Sequence, residues 1–509
     1  GVDSSLNKTI RTTMTTNPTY SNTSFDQLEN KYLGKASLSP RLGFNYDVKG
    51  NGTLVVRGGT GIFLGRLPFA WMGYGYTLNG STYGNIDWNG IGASTTVPLA
   101  INPYGLKDTV TKYGGASRSS TRELDVVDNN FKLPRVWRTN LAVDYKFGKG
   151  YKAGIDVLYT KTLYDVKFQQ INLFDSAQYF SSGPTQSPIY VARGSGTNGK
   201  YNSAYSNVYF LSNTTQGYRY NITASLSKNT NNIPVGAKHK MDMNWSVAYT
   251  YGMSKDISNG IRNSWESNFN LNPAISPNDP QLGYSNFDLR NRIVGTFGGS
   301  LHWNAKNTTS LNFFYAGQSG SPYTLIYQSP PGSGGSNAPL PYIPKDQSDI
   351  RLSDYSLNGV LYTAAQQWTD LNNFIESDSY LKSRRGQYAE RNGMRTPWNN
   401  ELDMKLMHEF KLGKMNKQHA LQVSLDVFNV LNLLSNSWGH VNFVTNVNQY
   451  DVNFLKYVAD ANGKAVGTPA SGYQPTFNFV RPTGVNNHYY TLDPINSRWQ
   501  GQFGVKYNF

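Results

Sequence analysis

Bulky and polar residues alternate with a period of two through stretch after stretch of this chain, and the stretches are joined by connections that are by turns short and long. The last stretch shows the pattern. Trp499, Gly501, Phe503, Val505, Tyr507 and Phe509 take one set of positions; Arg498, Gln500, Gln502, Gly504, Lys506 and Asn508 take the other. Successive strand side chains point to opposite faces, so such a segment is greasy on one face and wet on the other. In "GYRYNITASLSKN", Tyr218, Tyr220, Ile222, Ala224 and Leu226 oppose Arg219, Asn221, Thr223, Ser225 and Ser227; in "MDMNWSVAYTYG", Met241, Met243, Trp245, Val247, Tyr249 and Tyr251 oppose Asp242, Asn244, Ser246 and Thr250.

Read this way, the chain contains eleven strands, at 35–48, 52–63, 133–147, 150–161, 217–229, 240–254, 287–303, 308–317, 398–413, 418–431 and 497–509. Most run to about ten residues or more, the length a tilted strand needs to cross a bilayer. The connections at 49–52, 148–150, 230–239, 304–307 and 413–417 are short or modest; those at 64–131, 162–216, 255–286, 318–397 and 432–496 are long. Short periplasmic turns facing long extracellular loops are the pattern of an outer-membrane β-barrel. The expected fold is all-β: a transmembrane antiparallel barrel with its long loops on one side, opposite the C-terminus. Alternation places Trp245, Tyr249, Leu226, Leu425 and Phe503 toward lipid, and Asn244, Ser225, Asp426 and Gln502 toward the lumen. An antiparallel sheet with an odd strand count cannot close on itself without a parallel seam. Residues 35–509 are therefore expected to be part of a barrel, with residues 1–34 an extracellular loop segment.

Average hydropathy does not oppose this. The mean is −0.52 despite 36 Tyr, 24 Phe and 10 Trp, and no run of about 18 apolar residues offers a transmembrane helix. A barrel escapes that test, because only alternate residues of each strand meet lipid. The chain has no Cys, which excludes disulfides, thiol catalysis and thiolate metal sites. "GVDSSLNKTI" lacks a basic region followed by an apolar core, so the sequence is expected to be mature or to begin partway through a longer polypeptide. The net charge of +15 comes from scattered bases, with no basic helical stripe and no nucleic-acid module. It reads as a positively biased lumen and loops, and nucleic acid is not an expected partner.

Little points to catalysis. The six His are scattered, without the spacing of a zinc helix, and His302 reads as an interface or lumen residue. "GQSGS" (317–321) falls short of a nucleophile elbow, and "GGTGIFLG" (58–65) has the wrong spacing for a dinucleotide loop; its glycines suit bends and close packing in a strand. Asp47 to Asn51 reads as a hairpin turn rather than a calcium loop, and Asn462-Gly463 as a hairpin signal inside the last long loop. "SPPGSGGSNAPLPYIPKD" (329–346) is expected to be irregular. No catalytic residue, cofactor or metal is expected. Trp71, Tyr74 and Tyr76, in "RLPFAWMGYGYTLNG" (66–80), are the candidate ligand contacts, weighed against loop packing over the barrel mouth. Arg138, Arg219, Arg290, Lys405 and Arg498 are candidate lumen-facing charges, for cross-lumen ion pairs or for guiding an anionic solute.

"LSPRLGFNYDVKGNGTLVVRGGTGIFLGRLPF", "SNFDLRNRIVGTF", "GSPYT", "YIPKDQSD", "LQVSLDVFNVLNLL" and "SRWQGQFGVKYNF" resemble, in order and spacing, the C-terminal barrel of TonB-dependent outer-membrane receptors, nearest the Oar-like group of Bacteroidota and related bacteria. The resemblance covers most of the chain from about residue 35 onward. It implies a barrel of about twenty-two strands around a plug, of which these eleven are the second half. It implies as partners outer-membrane lipid and lipopolysaccharide, the absent half-barrel and plug, the TonB complex through that plug, and a surface lipoprotein. TonB box and plug are not visible, so no TonB-coupling residue can be assigned. The implied function is uptake or binding of a large substrate (peptide, glycan or chelate) across the outer membrane of a Gram-negative bacterium. The alternatives are an outer-membrane structural or assembly protein whose long loops bind surface proteins and, more remotely, a secreted β-rich carbohydrate-active enzyme, which would need paired carboxylates in a cleft.

Overall fold

The computed structural model describes residues 36–78, 122–173, 205–258, 262–328, 338–412, 419–445, 451–458 and 475–509, with short pieces and single residues between them. The expected segment 1–34 and the Asn462-Gly463 hairpin lie outside the described residues.

Eleven strands run in chain order across one antiparallel sheet. They are β1 (Arg41–Asp47), β2 (Leu54–Leu64), β3 (Arg135–Phe147), β4 (Tyr151–Gln170), β5 (Tyr218–Val235), β6 (His239–Asp256), β7 (Asn291–His302), β8 (Asn307–Gln318), β9 (Asn399–Lys411), β10 (Ala420–Phe428) and β11 (Gln500–Asn508). Each pairs with its sequence neighbour, and among the described residues β1 pairs with β2 alone and β11 with β10 alone. Among the described residues the sheet is thus open at both edges.

Register holds the apolar positions on one face from edge to edge. Leu226 lies opposite Val247 and Ala224 opposite Tyr249; farther along, Trp245 meets Phe297, Leu406 meets Leu425, and Leu425 meets Phe503. Ser225, Asn244, Asp426 and Gln502 take the opposite face. This apolar face is bare: Leu42 is 74% exposed and Phe503 70%. A water-soluble sheet would bury such a face, whereas lipid is a suitable solvent for it. Among the described residues no helix is long and apolar enough to cross a membrane.

The short turns are built by turn chemistry. Asp47 accepts from the amide of Gly52 at 2.6 Å, and Gly50 takes a left-handed φ of 68°, a conformation glycine adopts without steric cost. The 58–65 glycines serve packing as expected: a Cβ on Gly58 would stand 2.8 Å from the Phe44 ring lying across it. The segment 317–321 leads from β8 into the strand Pro322–Gln328, not into a helix.

Two strands outrun their expected lengths. Beyond Tyr164, β4 leaves its neighbours β3 and β5 and pairs with Tyr205–Thr214, which runs parallel to Arg122–Val127. Both faces of this extension are covered, so alternation vanishes there and the sequence gives no strand signal. At the other end β5 bulges between Thr230 and Ile233 and continues to Val235, so the modest turn shrinks to 236–238.

The apolar core belongs to the long connections. One cluster joins Tyr323, Leu325, Tyr327, Phe374, Phe454 and Phe477 with their neighbours. Helix α3 (Ala364–Ser377) sits in it, with Thr363 and Gln366 forming a capping box and Gln367, Leu371, Phe374 and Ile375 buried. A second cluster packs α1 (Phe69–Thr77) and α2 (Trp265–Asn270) on the β4 extension through Trp71, Phe168, Trp265 and Phe269. Of the Pro-rich stretch 329–346, residues 329–335 and 337 lie outside the described residues; in the rest Ala338, Leu340 and Ile343 are buried, and Tyr342–Ile343 pairs with Gln387–Tyr388.

Candidate functional site

Three layers of polar chemistry follow one another from the polar face of the sheet to the cap of long connections. On the sheet, Arg57 in β2 bridges two strands, with Nε 3.1 Å from Asp144 and Nη2 3.3 Å from Asp156; Lys152 reaches Asp144 at 3.2 Å. Lys405 in β9 pairs with Asp426 in β10 at 2.8 Å. His302 Nε2 lies 3.0 Å from Asp242. Arg138 donates to Thr160 at 3.3 Å and, with Arg41, stands over the Phe63 ring. Arg219 donates to Ser254 at 3.4 Å.

At the cap edge of the sheet stands an ion network. The Asp288 carboxylate is fully buried; it accepts from the Ser254 amide at 2.5 Å and Arg290 Nε at 2.7 Å, and also from Arg395. Arg395 donates again to the Asp288 carbonyl at 3.0 Å. Alongside, the buried Arg391 pairs with Asp256 at the end of β6. Lys255 and Arg290 both stand over the Tyr284 ring, 4.3 Å and 4.2 Å from its centre. These residues come from three separate stretches of chain and tie the cap to the sheet. Removing one partner of such a buried pair is costly, because the other charge is left without compensation.

The third layer lies in the cap. Asp125, on Arg122–Val127, is 1% exposed, and among the described residues neither carboxylate oxygen has a hydrogen-bond partner. Burial raises its pKa to about 9, with Glu123 and Glu266 adding to the effect. Burial likewise raises Glu123 to about 7, with Glu266 adding. Among the described residues no three His, Asp or Glu side chains form a group that could hold a metal ion.

The expected ligand contacts sit beside this layer. Trp71 is 2% exposed; its Nε1 donates to the Arg262 carbonyl at 2.9 Å and it meets Phe168 edge-on at 5.2 Å. Its ring is a packing element with no free face for stacking. Tyr74 is half-buried against the same cluster. Tyr76 belongs to α1, but its side chain lies outside what the structure describes. Of the expected lumen charges, Arg138, Arg219 and Lys405 occupy the polar face. Arg290 sits in the ion network, and Arg498 is exposed in the turn before β11. Sequence reading passes over Arg57, whose parity on β2 would have placed it with Asp144. It also passes over Asp256, Asp288, Arg391 and Arg395, which carry no local signal.

Residues 7–449 match the family model described as an outer membrane beta barrel domain. No curated protein matches the chain in sequence. Among solved structures, the chain is similar to the outer membrane transporter YddB from Escherichia coli, at 13% identity and a TM-score of 0.36, over 93% of this chain and 41% of that one. It is similar to a mutant of the ferric enterobactin receptor PfeA from Pseudomonas aeruginosa, at 10% identity and 0.31, over 87% and 39%. It is also similar to the ferric-catecholate import receptor Fiu from E. coli, at 10% and 0.28, over 76% and 42%. The chain spans about two fifths of the length of each.

Proposed function

Because the chain belongs to the outer membrane beta-barrel domain family, we propose that it supplies the C-terminal half of a TonB-dependent transporter or receptor of the Oar-like group. In this reading it moves or binds a large substrate across the outer membrane and performs no reaction. The observation that carries the half-barrel reading is the pair of open edges. β1 and β11 each have one partner among the described residues, yet the sheet presents a bare apolar face. Unpaired backbone groups in hydrocarbon cost several kcal/mol each, so a spanning sheet must close. Further strands, beyond the described residues, would meet both edges. The TonB coupling rests on the sequence resemblance alone, and would act through a plug and TonB box upstream. The cap suits a receptor: a separately packed body built from the long connections can present a binding surface.

The test is energy-dependent uptake. A strain lacking the gene and its parent are grown on the same complex medium, with and without a protonophore, and solute depletion is followed by mass spectrometry. Loss of a protonophore-sensitive uptake of a solute too large for porins is the expected result. Unchanged uptake with loss of surface proteins would sink the transport reading and favour the assembly role, which the large packed cap also suits.

A further inference from the structure

At the short-turn rim, the apolar face carries a continuous row of rings. Tyr145 and Phe147 stack at 5.5 Å, Phe147 and Tyr151 stack across the β3–β4 turn at 5.4 Å, and Tyr151 meets Trp245 edge-on at 6.3 Å. Two lysines stand over this row: Lys49 Nζ lies 5.8 Å from the Tyr145 ring centre and Lys228 Nζ 4.5 Å from that of Tyr151. Neither ammonium has a carboxylate partner among the described residues. A lysine resting on a ring keeps N–H donors free for an anion.

The surroundings add further lysines to this charge. Exposed Lys49, Lys149, Lys238, Lys306 and Lys411 lie in or beside the five short turns. The nearby carboxylates are fewer: Asp47, held by turn amides, Asp144, paired with Arg57 and Lys152, Asp242, beside His302, and Glu409, held by Gln422. The rim is therefore a basic ring, and part of the +15 charge is concentrated there.

We propose that this rim is a phospholipid site, with Lys49 and Lys228 as the phosphate-binding groups for an anionic glycerophospholipid whose acyl chains lie against the apolar face of the sheet. Aromatic belts mark the depth at which headgroups meet hydrocarbon, and lysine stems reach out from that depth to the headgroup phosphates. The inference takes from the proposed function only the placement of the short turns at the periplasmic leaflet; it holds with or without transport.

The test uses the protein extracted from outer membranes in mild detergent, with retained lipid counted by native mass spectrometry after exchange with phosphatidylglycerol. The Lys49→Gln/Lys228→Gln variant should retain about thirtyfold less, the scale of two lysines at an anionic leaflet. A cap variant, Lys345→Gln/Lys456→Gln, should match the parent. Heat-modifiable gel mobility checks folding, and raising the salt on the unaltered protein should release the lipid without any substitution. Equal retention by the rim variant, or retention insensitive to salt, overturns the proposal. Displacement by inorganic phosphate would mark a free-phosphate site and also overturns it. Preference for lipid A over phosphatidylglycerol would overturn it by placing the turns at the outer leaflet, a failure of topology and not of transport.

Discussion

Replacing Asp125 by Asn tests the cap electrostatics with a sign fixed in advance. The carboxyl is buried with no hydrogen-bond partner among the described residues, and its pKa stands at about 9 against an ordinary 3.8, chiefly from burial. While Arg122–Val127 is docked on Tyr205–Thr214 the proton stays on; once the strand is released the carboxyl ionises near 3.8. Above that pH the released strand binds fewer protons, so docking weakens as pH rises, and the loss levels off only near 9. The slope is about 1.4 kcal/mol per pH unit, or about 4 kcal/mol of docking free energy by neutral pH. Glu123, raised to about 7, adds to the same trend. The Asn side chain cannot ionise, but its buried amide costs about 1–3 kcal/mol at every pH. The two profiles should cross: the parent better protected in mild acid, the variant better protected above neutrality. Amide hydrogen exchange of peptides covering 122–127 and 205–211, corrected for intrinsic rates across that pH range, reads this directly. Identical, flat profiles for parent and variant would refute the reasoning.

Leu425→Arg places a charge on the apolar face and should destabilise the sheet by about 2–4 kcal/mol near the bilayer midplane, read from urea unfolding in lipid vesicles. Asp426→Asn removes only a half-exposed pair with Lys405 and should cost less than about 1 kcal/mol. Asp288→Ala leaves Arg290 and Arg395 facing each other without their shared anion; a loss of about 3–5 kcal/mol in cap docking is expected, seen as faster proteolysis within 319–398. On intact cells, protease should cut the long connections and spare the turns at 48–53 and 148–150; the opposite pattern would invert the topology.

The eleven sheet strands are legible in the sequence because lipid on one side and polar contacts on the other impose a two-residue period that survives in every spanning segment. Trp245, Leu425 and Phe503 share one face and Asn244, Asp426 and Gln502 the other for that reason alone. Loop lengths add direction, since turns and long connections alternate strictly. The cap escapes this reading. In the β4 extension and in Tyr205–Thr214 both faces are buried, so no period remains; α3 lies within a connection otherwise read as loop. Trp71 looks like a ligand contact in the sequence, because an aromatic-rich loop has the same composition whether its rings meet a ligand or one another. Asp256, Asp288, Arg391 and Arg395 form one network only when three distant stretches of chain converge. Local pattern reports the solvent a segment faces, and lipid announces itself. Which segments face each other is decided by packing, and only the tertiary structure holds that.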